Sequence, residues 1–367
     1  MTTPDIPPRR LRNQRLTAAP LATPAAVVAW QGAVQAQDYA GARWAIGLRL
    51  RGAVDADVEA AFDEGSILRT HVLRPTWHFV APADIRWLLA LTAPRVHAQS
   101  AYMYRQAGLD AAIFARSHAA LAGALEGGRH RTREELGEAL VKAGVEKEGA
   151  FRLIYLLMHA ELEGLIVSGP RRGKQHTYAL LEERVPPAPT LDRDAALAEL
   201  VRRYFTSHGP ATPQDFAVWS GLTVTDGKRG IAMAGDALAP EAIDGTMYWS
   251  SPSGREQAAS SSSSTATATA FLLPNYDEYF IGFKDRRAIG MRIDIETYHR
   301  HRRAIDANVI VVDGQVVGGW RRTLRAREVD VELNVVVPLS PAEQAAVDDA
   351  VARYGAFLGR SVATVTP

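Results

Sequence analysis

Apolar positions recur at three- and four-residue spacings and then give way to short extended runs, and this happens three times along the chain. The second occurrence is the sharpest. Thr132 precedes R-E-E-L-G-E-A-L with Glu135 three residues on, the spacing of a capping box, and Gly144 closes that helix. Phe151, Ile154, Tyr155, Met158 and Leu162 then share one face of a helix over 150–163. After Gly164, L-I-V-S-G-P-R-R-G-K-Q-H-T-Y-A-L-L reads as two strands joined by a Gly/Pro turn. A helix pair, a further helix and a hairpin, in that order, make a winged helix. The third copy follows the proline-rich V-P-P-A-P near 185, with a helix over 194–207, the turn G-P-A-T-P, a helix from Thr212-Pro213 to Trp219 and a strand at 246–250. The first comprises a helix over 24–34 capped by Thr23, another over 56–64 and a strand pair over 67–80.

Past these copies the pattern changes. The run A-A-S-S-S-S-S-T-A-T-A-T-A at 258–270 offers little to bury and reads as a loop or lengthened hairpin. Then F-L-L-P-N-Y-D-E-Y-F-I-G-F, N-V-I-V-V-D-G-Q-V-V-G-G-W and V-D-V-E-L-N-V-V-V read as strands, D-G marking a hairpin, and Ser340-Pro341 begins a final helix to about Gly355 or beyond. The chain is expected to be α+β, with tandem winged-helix units in segments 1–110, 111–185 and 190–255 and a β-rich lobe with a final helix in 256–367.

Composition narrows the function. At 367 residues, 47% hydrophobic and 23% charged, the chain can bury more than one core. It has no cysteine, which excludes disulfides, thiolate zinc sites, iron–sulfur clusters and cysteine nucleophiles. A net charge of +1 means that nucleic-acid binding must come from local basic patches. Arg9-Arg10 ahead of the apolar stretch 16–30 loosely imitates a twin-arginine export signal. Pro20 and Pro24 interrupt that stretch, and Arg12 and Arg15 intervene, so export is not expected. No apolar run reaches the ~18 residues of a membrane helix, the nearest being 85–91. A cytoplasmic, nucleoid-associated monomer is expected.

Several constellations could carry chemistry. V-Q-A-Q-D-Y-A at 34–40 sets Gln35 and Gln37 one residue apart, on the same side of an extended backbone. A carboxamide does not titrate near neutral pH, but it can orient a water and stabilise developing positive charge. Taken alone, Q-A-Q is close to worthless as a motif and reads as polar residues at a helix end. Arg171, Arg172, Lys174 and His176 at the second wing suit phosphate contact or minor-groove entry, against the alternative of a solvated turn. Arg69, His71, Arg74, Trp77 and His78 lie along one extended segment. Arg69 and His71 are expected toward a cleft and Trp77 and Phe79 in the core, while His78 is either a cleft residue or satisfies a local hydrogen bond. Asn275, Asp277, Glu278, Asp285 and Arg286 cluster, but two adjacent acids without a third ligand favour structural pairing over a metal. Tyr298-His299-Arg300-His301 is too basic for a metal site. No metal and no cofactor are expected.

V-Q-A-Q-D at 34–38, R-T-H-V-L-R-P-T-W-H-F-V at 69–80 with D-I-R-W-L-L following, L-L-P-N-Y-D-E-Y-F-I-G-F-K-D-R at 272–286 and V-D-G-Q-V-V-G-G-W at 312–320 together resemble the winged-helix bacterial DNA glycosylases of the AlkZ and YcaQ type. The resemblance spans nearly the whole chain. It implies tandem winged helices with a β-rich C-terminal part and a monofunctional hydrolase acting on double-stranded DNA. The implied substrates are alkylated bases, typically guanine alkylated at N7, and in the AlkZ branch interstrand crosslinks. Gln35 and Gln37 match the family's catalytic Gln-x-Gln; the YcaQ branch has Asp at the second position, so Gln37 points to the AlkZ branch. Asp38, beside the pair, and Asp277, in the strongest C-terminal segment, become candidate cleft residues. A winged-helix regulator without enzymatic activity, and a protein that shields adducted DNA without cleaving it, are the alternatives.

Overall fold

Short polar side chains set the helix starts. The Thr132 hydroxyl accepts from Glu135 N–H while Glu135 reaches back to Thr132 N–H at 2.7 Å, so the capping box forms at the head of helix Arg133–Lys142. Ser340 and Glu343 do the same for the final helix, Pro341–Leu358. Thr23 caps Pro24–Gln31 and Asp38 caps Tyr39–Gly47. The computed structural model describes residues 2–147, 149, 151–253, 268–305 and 307–365, and the fold mixes helix and strand.

One order of elements occurs three times along the chain. Helix Pro24–Gln31, strand Val34–Gln35, helices Tyr39–Gly47 and Asp55–Glu64 and strands Leu68–Val72 and Arg74–Val80 make the first. Helix Ala111–Leu125, strand Arg131–Thr132, helices Arg133–Lys142 and Arg152–Leu162 and strands Ile166–Ser168 and Thr177–Leu180 make the second. Helix Arg193–His208, a bridge at Ala211, helices Pro213–Ser220 and Val224–Ala234 and strands Ala239–Ile243 and Thr246–Ser250 make the third. In each, the short strand or bridge leads straight into a capped helix.

Several elements differ from the sequence expectation. Helix 24–34 stops at Gln31, because Gly32 takes φ +81°. The helix Tyr39–Gly47 was not expected: seven of its residues, Gly41 to Gly47, are buried, so it lacks the polar face that periodicity detects. Of F-L-L-P-N-Y-D-E-Y-F-I-G-F only Phe271 to Leu273 are strand, the end of Ala270–Leu273; Asp277 accepts from Tyr279 N–H and starts the one-turn helix Glu278–Ile281 instead. Residues 258–267 of the Ser/Thr/Ala run lie outside the described residues.

By internal contacts the chain divides into two units, Met1–Val58 with Ala198–Trp219 and Val224–Pro367, and Glu59–Leu197 with Ser220–Thr223. This division cuts across the four consecutive segments read from the pattern. In the first unit, five strands run in the order Ser361–Val365, Glu328–Val335, Gln315–Leu324, Val309–Val312, Ala270–Leu273, with only the Glu328–Val335 and Ser361–Val365 pair parallel. The hairpin turn uses Asp313 and Gly314, both at positive φ, as D-G predicts. The final helix covers this sheet, and Trp44 packs on Tyr354 and Phe357 at ring distances of 5.1 and 5.0 Å while its Nε1 donates to Leu272 O. Gly47 allows that approach, since a Cβ there would come within 2.4 Å of the Phe357 ring.

In the second unit, helices Ile85–Gln106, Ala111–Leu125, Arg133–Lys142 and Arg152–Leu162 enclose a core that includes Val96, Leu121, Leu125, Leu136, Leu140 and Leu156. Strand Thr177–Leu180 lies between Arg131–Thr132 and Ile166–Ser168. Among the described residues no helix is long and apolar enough to cross a membrane.

Candidate active site

Val34 and Gln35 form a two-residue strand that ends three residues before the Asp38 cap, so the Gln-x-Gln pair sits on the turn between strand and helix. Gln35 is 7% exposed and Ala36 is fully buried, whereas Gln37 is exposed. The two carboxamides therefore occupy different environments.

The backbone under Gln35 is anchored. Its N–H donates to Glu278 Oε1 at 2.9 Å, and Trp219 Nε1 donates to Glu278 Oε2 at 2.9 Å. Glu278 is 1% exposed, and His208, fully buried, lies 3.5 Å from the same Oε2. Burial pushes the His208 imidazole below its usual pKa, against the opposing pull of Glu278. A buried carboxylate thus takes a main-chain and an indole donor and ties strand Val34–Gln35 to the one-turn helix 278–281.

Asp277 faces elsewhere. It is fully buried and accepts both terminal nitrogens of Arg49 at 2.9 and 3.0 Å, a fork-on-fork pair. Arg49 also donates to Ala45 O, Gln14 O and Gln14 Oε1. Asp277 is a structural anchor rather than a cleft residue. Asp38 is half-buried, accepting Gly41 N–H at 3.0 Å and lying 3.4 Å from Arg322.

In the second unit, His71 and His78 lie in the interior. His71 is 4% exposed with Nδ1 2.5 Å from Glu161 Oε2. His78 is fully buried, with Nδ1 2.9 Å from Thr76 O, the local bond of a structural histidine, and burial first, then Arg74, pushes its pKa well down. Phe79 is core, but Trp77 is only half-buried, with the Arg69 guanidinium 4.3 Å above its ring. Arg69, Trp77, Arg133, Lys147, His176 and Tyr178 line a cavity of about 730 Å³, which brings together Arg69 and His176, two residues far apart in the chain.

The wing itself is partly neutralised. Arg171 pairs with Glu59 at 2.7 Å and Arg172 with Glu135 at 2.8 Å, while Lys174 stands exposed at the tip.

What the sequence did not reveal is the frame around Gln35. Trp219, His208 and Arg322 carry no local motif and reach the site from remote parts of the chain. Glu278 was visible as half of an acidic pair, but its bond to Gln35 spans 243 residues. The one group of three metal-ligating side chains among the described residues lies in the second unit and does not involve the glutamines.

The family model described as DNA glycosylase AlkZ-like matches residues 28–357. A relative from Streptomyces sahachiroi, named interstrand DNA cross-link repair glycosylase, is 27% identical over 371 residues, covering 95% of this chain and 94% of that protein. The solved structure of the Streptomyces sahachiroi DNA glycosylase AlkZ matches with a TM-score of 0.78 at 22% identity, over 100% of both chains. A match that runs from the helix before the glutamine pair to the end of the final helix assigns the chain to the AlkZ-like DNA glycosylase family.

Proposed function

We propose that this glycosylase hydrolyses the N-glycosidic bond of N7-alkylated purines in double-stranded DNA and, like the relative named for it, opens interstrand crosslinks, with Gln35 and Gln37 holding the attacking water. The observation that carries the reading is the anchoring of Gln35 N–H on the buried Glu278, which holds the Gln35 backbone in one place. Preorganised dipoles act without reorganising when charge develops.

An N7-alkylpurine is cationic, so little help is needed to break its bond. As the C1′–N9 bond breaks, its electron pair neutralises the purinium ring. The developing oxocarbenium is stabilised by a glutamine carbonyl dipole, and the water accepted by the other carbonyl attacks C1′. The surplus water proton passes to solvent, leaving free base and an abasic sugar. Neither a lysine nucleophile nor a strong acid is required, and the enzyme is monofunctional.

We read the thrice-repeated element order as three winged-helix units. The cations of the 730 Å³ cavity, with exposed Lys174 and Arg172, supply phosphate contacts from the second unit.

The deciding experiment is release of free base from duplex DNA carrying N7-methylguanine. Wild type should release it, and Gln35→Ala and Gln37→Ala, at matched folding, should each be slower by about 100-fold or more, the scale for losing a dipole aimed at the transition state. Intact lesions after excess-enzyme incubation, with bulky N7 adducts and crosslinked duplexes also untouched, would overturn the proposal.

A further inference from the structure

The second unit holds a histidine cluster to which the proposed base excision assigns no part. His97 comes from helix Ile85–Gln106 and His118 from Ala111–Leu125, while His159 and Glu163 stand four residues apart at the end of Arg152–Leu162. One ligand atom each from His97, His159 and Glu163 lie within 4.8 Å of one another. His97 Nε2 and Glu163 Oε1 are 3.0 Å apart. Two donors at bonds of about 2.0–2.1 Å on one tetrahedral ion stand roughly 3.3 Å apart.

We propose that His97, His159 and Glu163 form a binding site for a divalent transition-metal ion of the zinc type. Two imidazoles and one carboxylate are a three-ligand set with an open fourth position, suited to Zn²⁺ or Co²⁺ and unlike the all-oxygen shells that Mg²⁺ and Ca²⁺ require.

The surroundings are those of oriented ligands. His97 Nδ1 is engaged with Tyr104 OH at 3.0 Å and His159 Nδ1 with His118 Nε2 at 3.1 Å, which leaves the Nε2 atom of each ring for the ion. Phe114 stacks on the His159 ring at 3.7 Å and 18°, fixing its plane. A cavity of about 550 Å³, lined in part by His97 and Glu163, gives an ion a way in. His118 is a positioning residue that acts through His159. A bound ion would pin helix Ile85–Gln106 to helix Arg152–Leu162, and the protein would be held more tightly folded by its presence.

The test uses untagged full-length protein stripped with a chelator and titrated with Zn²⁺ and with Co²⁺ alone. Wild type should bind one equivalent, show visible Co²⁺ absorption of a low-coordinate site, and gain melting temperature as the site fills. Glu163→Gln, at a side chain 51% exposed and therefore tolerant of change, should weaken binding and abolish the gain. His97→Ala should do the same, and His118→Ala should weaken binding by about 10–100-fold, the effect of losing an orienting partner. A His299→Ala/His301→Ala double variant should bind like wild type. Failure of wild type to take up one equivalent, or unchanged uptake in both Glu163→Gln and His97→Ala, would overturn the site.

Discussion

Asp277 and Glu278 are neighbours in sequence with separate tasks. Asp277 neutralises Arg49 where neither side chain reaches water, their exposures being 0% and 2%. Breaking such a pair leaves a buried charge without compensation, at a cost of about 3–5 kcal/mol. Asp277→Asn should therefore lower the urea midpoint strongly, while Asp277→Asn with Arg49→Met should recover part of the loss. A drop no larger than that of a typical exposed substitution would refute the anchoring role. Glu278 instead takes the Gln35 main chain, so its truncation is expected to act through the position of the glutamines. The sequence showed two adjacent acids, read as structural pairing over a metal, with Asp277 also kept as a cleft candidate. Their partners were not legible, because Arg49 lies 228 residues from Asp277 and no periodicity encodes such a separation.

At the level of elements, capping chemistry and apolar stripes gave the helices with one dry and one wet face, and D-G gave the hairpin. They failed where an element is dry all round, as in Tyr39–Gly47, and where Pro274 and the Asp277 cap divert an apolar run from strand to helix. The Gln-x-Gln pair stood out as two closely spaced carboxamides and took its expected catalytic role from the resemblance; its setting between a short strand and a capped helix needed coordinates. Hairpin Leu68–Val80 carries a testable consequence of its inward histidine. His78 is held neutral by burial, so its folded pKa lies well below the unfolded value near 6.5. The unfolded chain takes up the proton first as pH falls, so this contribution is complete above about pH 6.5 and is lost progressively below it, with a slope of at most about 1.4 kcal/mol per pH unit. Unfolding free energies between pH 7.5 and 5, as assay conditions, should fall in wild type and fall less in His78→Gln; parallel curves would rule out this histidine as the source.

For the molecule as a whole, a net charge of +1 supplies no general attraction to DNA, so affinity must be carried by a few exposed cations. Arg171, 14% exposed and paired with Glu59, is largely committed to the fold. Lys174 is better placed for phosphate, and Lys174→Ala should reduce the slope of log K against log salt by about 1 without changing lesion preference. An unaltered slope would remove it from the contact surface. One feature of the chain path bears on how the enzyme comes into being. Because Gln35 rests on Glu278, 243 residues later, the frame of the glutamine pair is incomplete while the ribosome is still making most of the protein. At about 5–20 residues per second, the interval is roughly 12–50 s. Nascent chains, and fragments left by premature termination before residue 278, carry the motif without its support, so under the proposed mechanism such fragments are expected to release no base.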